Sequence, residues 1–298
     1  MKRILVTGAS GFIGSYLIPE LEENGYHIDG IDRDHADLDV PGHFEDALDR
    51  HTYDAVVHLA AKTSRVLCEE DPAAAIRDNV LATTFVAQEC GKRKIKLVYA
   101  STSEVYGHQR YTPVDETSPT YPTGIYALTK LWGEQIARLY VPDSLLILRI
   151  SMPYGPFQSP AGFSPVGKGR AAIVNFLYNT WHRRPITVHH GAERSLCYVT
   201  DTVHAIRMLI EQEREGIWNV GRDDAAMTME RIAQIACELT AASRDLIEIV
   251  PAPPRQVVVK RLNMQKIRTI GWKPEVSLED GMRRVLAWVK TLPGPDSP

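Results

Sequence analysis

Through the first 150 residues, short apolar runs alternate with longer amphipathic stretches, the rhythm of a parallel sheet wrapped by helices. The runs at 4–6, 27–31, 55–59, 97–100 and 145–149 predict strands. Between the first two, Phe12, Ile13, Tyr16, Leu17 and Leu21 recur at helical spacing and stop at Asn24-Gly25. Residues 73–90 and 124–140 predict further helices. The expected fold class is α/β, built on a doubly wound parallel sheet.

Past Arg149 the rhythm breaks. Met152-Pro153-Tyr154-Gly155-Pro156 and the Gly-, Pro- and Ser-rich stretch to Gly169 hold too many turn formers for a core element, and predict a long loop over a ligand. A helix over 171–181, a strand over 186–189 and helices near 202–212, 228–239 and 278–290 follow, as a smaller mixed α/β part. Residues 293–298 are expected to fray, and no internal repeat is found.

Charge narrows the classes of partner. With 34 basic against 37 acidic residues, the chain has no global positive field to attract nucleic acid or an anionic membrane. The four cysteines are far apart and form no C-x-x-C pair, which fits a reducing, cytoplasmic setting and no disulfide framework. The apolar run at 4–6 is too short for a signal-peptide core, and no stretch approaches the roughly 20 apolar residues of a membrane span. His189 and His190 lack a third ligand at any metal-site spacing, so no catalytic metal is expected. His58, at a strand end, reads as structural, and Cys197 and Cys237 as core.

Candidate chemistry begins after the first strand. Gly8, Gly11 and Gly14 open the first helix, where glycine permits a tight turn, close approach of backbone N–H groups to a pyrophosphate, and close packing of helix on sheet. Asp32 ends the second strand about 20 residues further on, where a carboxylate bonds an adenosine ribose hydroxyl. Arg33 beside it could accept a 2′-phosphate, but Asp32 would repel that group, so NAD is expected over NADP. Tyr126 and Lys130 stand four apart on one helix face. A phenol is a weak base at neutral pH, and a nearby ammonium and a cationic nicotinamide would both favour its phenolate.

The segments Thr7-Gly8-Ala9-Ser10-Gly11-Phe12-Ile13-Gly14, His58-Leu59-Ala60-Ala61, Ser101-Thr102-Ser103-Glu104-Val105-Tyr106-Gly107 and the Tyr126/Lys130 pair resemble, in order, the extended short-chain dehydrogenase/reductase family of nucleotide-sugar epimerases, dehydratases and decarboxylases. The likeness continues through Tyr154-Gly155-Pro156, residues 194–201, Trp218-Asn219-Val220-Gly221 and Gly271-Trp272-Lys273-Pro274, nearly the whole chain. It implies an NAD-binding Rossmann domain over 1–150 plus 196–222 and a nucleotide-sugar-binding domain over 151–195 plus 223–298. It also implies that Tyr126 is the catalytic base, Lys130 its partner on the nicotinamide ribose, Thr102 the hydroxyl that bonds the sugar oxygen, and Glu104 a further active-site group. Gly8, Gly11, Phe12, Ile13, Gly14, Asp32, Arg33, Leu59, Ala60, Ala61, Asn79, Ala100, Ser101 and Pro153 would line the cofactor with Tyr126 and Lys130. Asp37-Leu38 matches the pair that reads adenine, and Asp39-Val40 fits nearly as well. Thr102, Ser103, Tyr126, Met152, Asn175, Val188, Arg194, Arg255 and Lys260 are the substrate candidates, with Arg261 in the same basic cluster.

The branch within the family turns on the fate of the sugar after its oxidation at C4. Dehydratases carry an Asp-Glu pair after the catalytic Thr; here Ser103 replaces the Asp and is a far weaker proton donor. Decarboxylases carry Thr-Ser-Glu, as Thr102-Ser103-Glu104 does, and Gly169-Arg170 is similar to one of their segments. Thr-Ser-Glu also occurs in simple epimerases, so the resemblance ranks epimerisation of a nucleoside-diphosphate sugar first, decarboxylation second and dehydration third. Met152 departs from the family, which often has an Asn there donating to the substrate phosphate. A 4-keto-sugar reductase and a dinucleotide-sensing protein on the same fold are the rivals. Relatives dimerise through helices matching 73–90 and 124–140, which implies a homodimer.

Overall fold

The computed structural model describes residues 2–35, 37–157, 172–223, 227–253 and 256–294. β1 (Arg3–Thr7), α1 (Gly14–Glu23), β2 (His27–Ile31), α2 (His43–Leu48) and β3 (Ala55–His58) come first. Two short helices follow: α3 (Arg65–Glu70), capped by Ser64 accepting from the Leu67 N–H at 3.2 Å, and α4 (Pro72–Ile76), capped by Asp71 with Pro72 at its first position. A π-helical turn, Arg77–Leu81, joins α4 to α5 (Ala82–Arg93), and β4 (Lys96–Thr102), α6 (Ile125–Tyr140) and β5 (Leu145–Ile150) complete the first half. The second half runs β6 (Met152–Tyr154), α7 (Ala172–Trp181), β7 (Ile186–His189), β8 (Glu193–Arg194), β9 (Leu196–Tyr198), α8 (Val199–Glu211), β10 (Gly216–Val220), β11 (Met227–Thr228), α9 (Met229–Thr240), β12 (Ile247–Val250), β13 (Val259–Lys260), α10 (Gln265–Arg268) and α11 (Leu278–Val289).

β1 to β5 and β10 form one parallel sheet in the order β10-β5-β4-β3-β1-β2. The five strands expected from apolar runs are there, and β10 adds an edge that periodicity did not signal. From β1 the chain goes outward to β2 and then returns to β3 on the other side, so the strand order reverses between β1 and β3. Loops diverge at such a switch point and leave a crevice beyond the carboxyl ends of the strands.

One apolar cluster packs α1, α8 and α10 on one face of the sheet, and a second packs α2, α5 and α6 on the other. A third joins α7, α9 and α11 to β7 and β9. Leu262, Met264, Ile267, Ile270 and Trp272 pack with the sheet rather than with that third cluster, so the chain past 223 serves both bodies. The third body carries small sheets: β6 with β9, β7 with β12, and β8 between β11 and β13. In the last, Lys260 lies in register with Arg194. The expected loop over 155–169 falls mostly outside the described residues, as do Gly169-Arg170, Arg255 and residues 295–298 of the tail. Among the described residues no helix is long and apolar enough to cross a membrane.

Candidate active site

A cleft of about 1010 Å³ runs along the carboxyl ends of β1 to β5 and across to β8 and β13. Its floor at one end is the glycine turn. Gly8 has φ +72° and donates its N–H to the Ile31 carbonyl at 2.9 Å. A Cβ at Gly8 would lie 2.7 Å from the Ala60 nitrogen, and one at Gly14 would lie 2.4 Å from the Gly8 oxygen. The turn is therefore pressed against both the loop after β3 and the start of α1, whose first turn carries no acidic residue to cancel its positive end. Such a bare backbone cradle fits a pyrophosphate. Gly11, Phe12, Ile13, Leu59, Ala60 and Ala61 line it.

Beyond β2 the wall is acidic. Asp32 accepts from the Ser10 N–H at 2.8 Å and so ties the strand end to the glycine turn. Arg33 reaches the cleft but is paired with Asp78 at 2.6 Å, which leaves it turned toward a carboxylate rather than free for a phosphate. A hydrogen bond shared between Asp37 and Asp39 raises the first and lowers the second relative to an ordinary carboxyl. Both line the cleft with Leu38, whereas Val40, the other half of the alternative pair, is exposed outside it.

Under the cradle lies a buried polar chain. The Ala60 N–H donates to Thr7 Oγ1 at 3.3 Å, Thr7 meets His58 Nδ1 at 2.7 Å, and His58 Nε2 meets Thr83 Oγ1 at 3.1 Å. Because the Thr83 hydroxyl donates to the Asn79 carbonyl at 2.7 Å, it accepts from His58, which fixes the Nε2–H tautomer. Burial holds the imidazole down to about 3, with Lys130 adding to the effect, so His58 is neutral and structural. Asn79 does not line the cleft. Its amide accepts from the Lys62 N–H at 2.7 Å and donates to the Lys62 carbonyl at 3.1 Å and to Thr129 at 3.0 Å, clamping the loop after β3 to α6. Asn79, expected to line the cofactor, is thus fully buried within this clamp.

The reactive-looking groups meet where β4 ends against α6. Thr102 Oγ1 accepts from the Glu104 N–H at 3.2 Å and opens a one-turn helix, Ser103–Tyr106. Tyr126 and Lys130 project from α6 beside it, with Ala100, Ser101 and Ser103 in the same wall. Burial pushes the Tyr126 phenol well up, and a hydrogen bond with Thr102 acts against that. Burial pulls Lys130 down to about 7, against the pull of Glu134. Desolvation therefore favours the neutral form of both groups, and an arriving positive charge would favour the phenolate.

The opposite wall is basic. Arg194 is buried and donates to the carbonyls of Glu193 at 2.7 Å and Val258 at 2.6 Å. Lys260 crosses the cleft to pair with Glu104; burial lowers it to about 8 although Glu104 works the other way. Met152 and Pro153 lie between. Asn175 and Val188 stand elsewhere: Asn175 is exposed on α7 and bonded to Asn179 one turn on, and Val188 points into the third core cluster because β7 alternates inward and outward. Arg261 is exposed and pairs with Glu193 at 2.5 Å. Sequence reasoning missed Lys62, Ser64, Arg65 and Leu67, which face the cleft from α3 and the loop before it, and Phe157, which stacks on Phe12 at 5.6 Å. The Ser64 and Asp71-Pro72 helix starts were the available signal for that wall.

Residues 4–221 match the model of the NAD dependent epimerase/dehydratase family. A Methanocaldococcus jannaschii protein named "Putative UDP-glucose 4-epimerase" is 31% identical, over 96% of this chain and 98% of its own. UDP-glucuronic acid decarboxylase 6 of Arabidopsis thaliana is 28% identical, over 94% and 86%. The UDP-glucose 4-epimerase of Thermus thermophilus, solved in complex with NAD, superposes with a TM-score of 0.85 at 26% identity, over 97% of this chain and 99% of that one. With the cradle, the acid after β2 and the Thr102, Tyr126 and Lys130 groups in one cleft, the chain belongs to the NAD dependent epimerase/dehydratase family.

Proposed function

We propose that this enzyme interconverts the two C4 configurations of a nucleoside-diphosphate sugar, with a UDP-hexose such as UDP-glucose or UDP-galactose as the first substrate to test. The observation that carries the proposal is the meeting of Thr102, Tyr126 and Lys130 at the junction of the glycine-floored and basic halves of one cleft. The glycine turn, Asp32, Asp37 and Leu38 would hold NAD, which when bound supplies a hydride acceptor and donor for the sugar carbon. Tyr126 takes the proton of the C4 hydroxyl and later returns it, Lys130 favours the phenolate, and Thr102 orients the sugar oxygen. Arg194, with Lys260 and Arg65 near it, provides cationic partners for the diphosphate. Loss of water needs an acid beside Thr102, and Ser103 is not one while Glu104 is tied to Lys260. Pairing of Arg33 with Asp78 supports NAD over the phosphorylated cofactor that a reductase would commonly use.

Decarboxylation of a UDP-glucuronate is the second reading, favoured by Thr102-Ser103-Glu104 and by the cations Arg65, Arg194 and Lys260, which a sugar carboxylate would complement. Incubation with NAD and a panel of UDP-, dTDP- and GDP-hexoses and UDP-glucuronate, read by mass and NMR, separates the two. An unchanged mass with an inverted C4 centre supports the epimerase; carbon dioxide release replaces it by the decarboxylase. Tyr126→Phe should bind NAD normally and lose at least about 100-fold in turnover; full activity in that variant removes Tyr126 as the base. The division into an NAD-holding unit and a sugar-holding unit is part of this proposal. So is a homodimer through α4, α5 and α6, supported by the exposed Ile76, Leu81, Trp132 and Leu139. Four buried free thiols support a reducing, cytoplasmic setting.

A further inference from the structure

At the acidic end of the cleft, charged residues from three segments meet. Arg33 follows β2, Asp39 lies in the turn before α2, and Arg77 and Asp78 open the π-helical turn. Asp78 is the junction. Arg33 Nη2 lies 2.6 Å from its Oδ2, and Arg77 Nε donates to its Oδ1 at 3.3 Å. The same Arg77 nitrogen lies 3.2 Å from a carboxylate oxygen of Asp39. Both guanidiniums are therefore already paired inside the protein, and the carboxylate between them has a cation on each oxygen.

The two partners of the Arg33–Asp78 pair are held unequally. The Asp78 side chain is 9% exposed, and the next residue, Asn79, is fully buried with its amide fastened to Lys62 and Thr129. Arg33 ends a long side chain that is 66% exposed and has many rotamers open to it. The carboxylate is thus the fixed member, and the guanidinium follows it. We propose that Asp78 is a cofactor-specificity residue: from the π-helical turn it holds the Arg33 guanidinium and so withholds from NADP the cation that would pair with its 2′-phosphate.

An arginine next to the acid that ends β2 is the residue type that receives such a phosphate. Arg33 stands in that place, and its charge is spent on a second acid. An ordinary surface ion pair has two exposed partners and faces no ligand; here both residues line the cleft and the acid is nearly buried. Asp32 and Asp78 therefore oppose NADP in different ways. Asp32 repels the phosphate directly, whereas Asp78 removes the group that would attract it. The two effects are separable, because Asp32 is tied to the Ser10 N–H and takes no part in the Arg33–Asp78 pair.

The inference rests on the proposed seating of NAD along the glycine turn and Asp32, and not on which sugar is turned over. Calorimetry of the full chain, stripped of nucleotide, with NAD and with NADP gives the ratio of the two affinities. Asp32→Ser removes the direct repulsion and supplies the background. Adding Asp78→Asn, which keeps the shape of the side chain, should raise the affinity for NADP relative to NAD at least about fivefold further. Asp78→Glu in its place keeps the carboxylate and should leave the ratio near that of Asp32→Ser. Adding Arg33→Met to Asp32→Ser/Asp78→Asn should abolish the gain. A ratio that does not move with Asp78→Asn, or a gain that survives Arg33→Met, overturns the proposal. If Gly14→Ala weakens NAD binding in the same assay while the ratio stays fixed, only the role of Asp78 falls. If Gly14→Ala binds NAD as the parent does, the seating of the cofactor falls, and this proposal with it.

Discussion

A methyl group at Gly14 would stand 2.4 Å from the Gly8 oxygen and 2.5 Å from the Ala9 oxygen, backbone atoms that cannot swing aside. Gly14→Ala must therefore lift α1 from the turn, and its NAD affinity, measured by calorimetry, should fall at least about tenfold; an unchanged affinity would place the pyrophosphate elsewhere. His58 makes a second prediction. Its folded value near 3 lies below the ordinary 6.5, so the unfolded chain binds a proton in that interval and the folded chain does not. The stabilisation is complete above 6.5 and is lost as pH falls toward 3, and His58→Gln should show a shallower acid decline in melting temperature than the parent. The glycines, Asp32, Tyr126 and Lys130 were legible because backbone constraint and helix spacing act locally. The burial of Asn79 was not legible, since the direction of its amide, toward Lys62 and Thr129, depends on a π-helical turn that no pattern announced. Val188 was misplaced although strand alternation carried the answer: Ile186 and Val188 face inward together while Thr187 faces out.

The helix expected over 73–90 is three pieces, α4, the π-helical turn and α5, with Asp71 and Pro72 setting its start. The extra residue of a π turn shifts the apolar stripe, so the stretch serves two faces. Ala82, Val86, Ala87 and Cys90 pack inward, while Ile76 and Leu81 remain 43% and 41% exposed. Trp132 on α6 is similarly uncovered at 42%. If these helices pair with a second copy, Leu81→Glu/Trp132→Glu should run at monomer mass in light scattering while the parent runs as a dimer; a monomeric parent ends the dimer proposal. α3 escaped prediction because six residues give too few repeats for a period, yet it supplies a wall of the cleft through Arg65 and Leu67. The two-residue strands β8, β11 and β13 escaped for the same reason, since they exist only by their pairing.

Across the whole molecule, the cleft has a wall made at the ends of consecutive strands and a wall assembled from distant segments. The first is the part a sequence displays. It also makes a test of the entire fold: NAD at about 100 times its dissociation constant should stabilise the protein by about 2.7 kcal/mol, a rise of several degrees in melting temperature. NADP at the same concentration should do far less, because Asp32 faces the extra phosphate and Arg33 is engaged by Asp78. Equal shifts would contradict the assignment of the acidic end. The second wall depends on one alignment, Val259 opposite Glu193 and Lys260 opposite Arg194. Remove one residue between β12 and β13 and Arg261 takes the place of Lys260; add one and Val259 does. The charge presented to the cleft is therefore set by a reading frame of strand against strand, and insertions or deletions in a connecting segment can rewrite it as readily as a substitution.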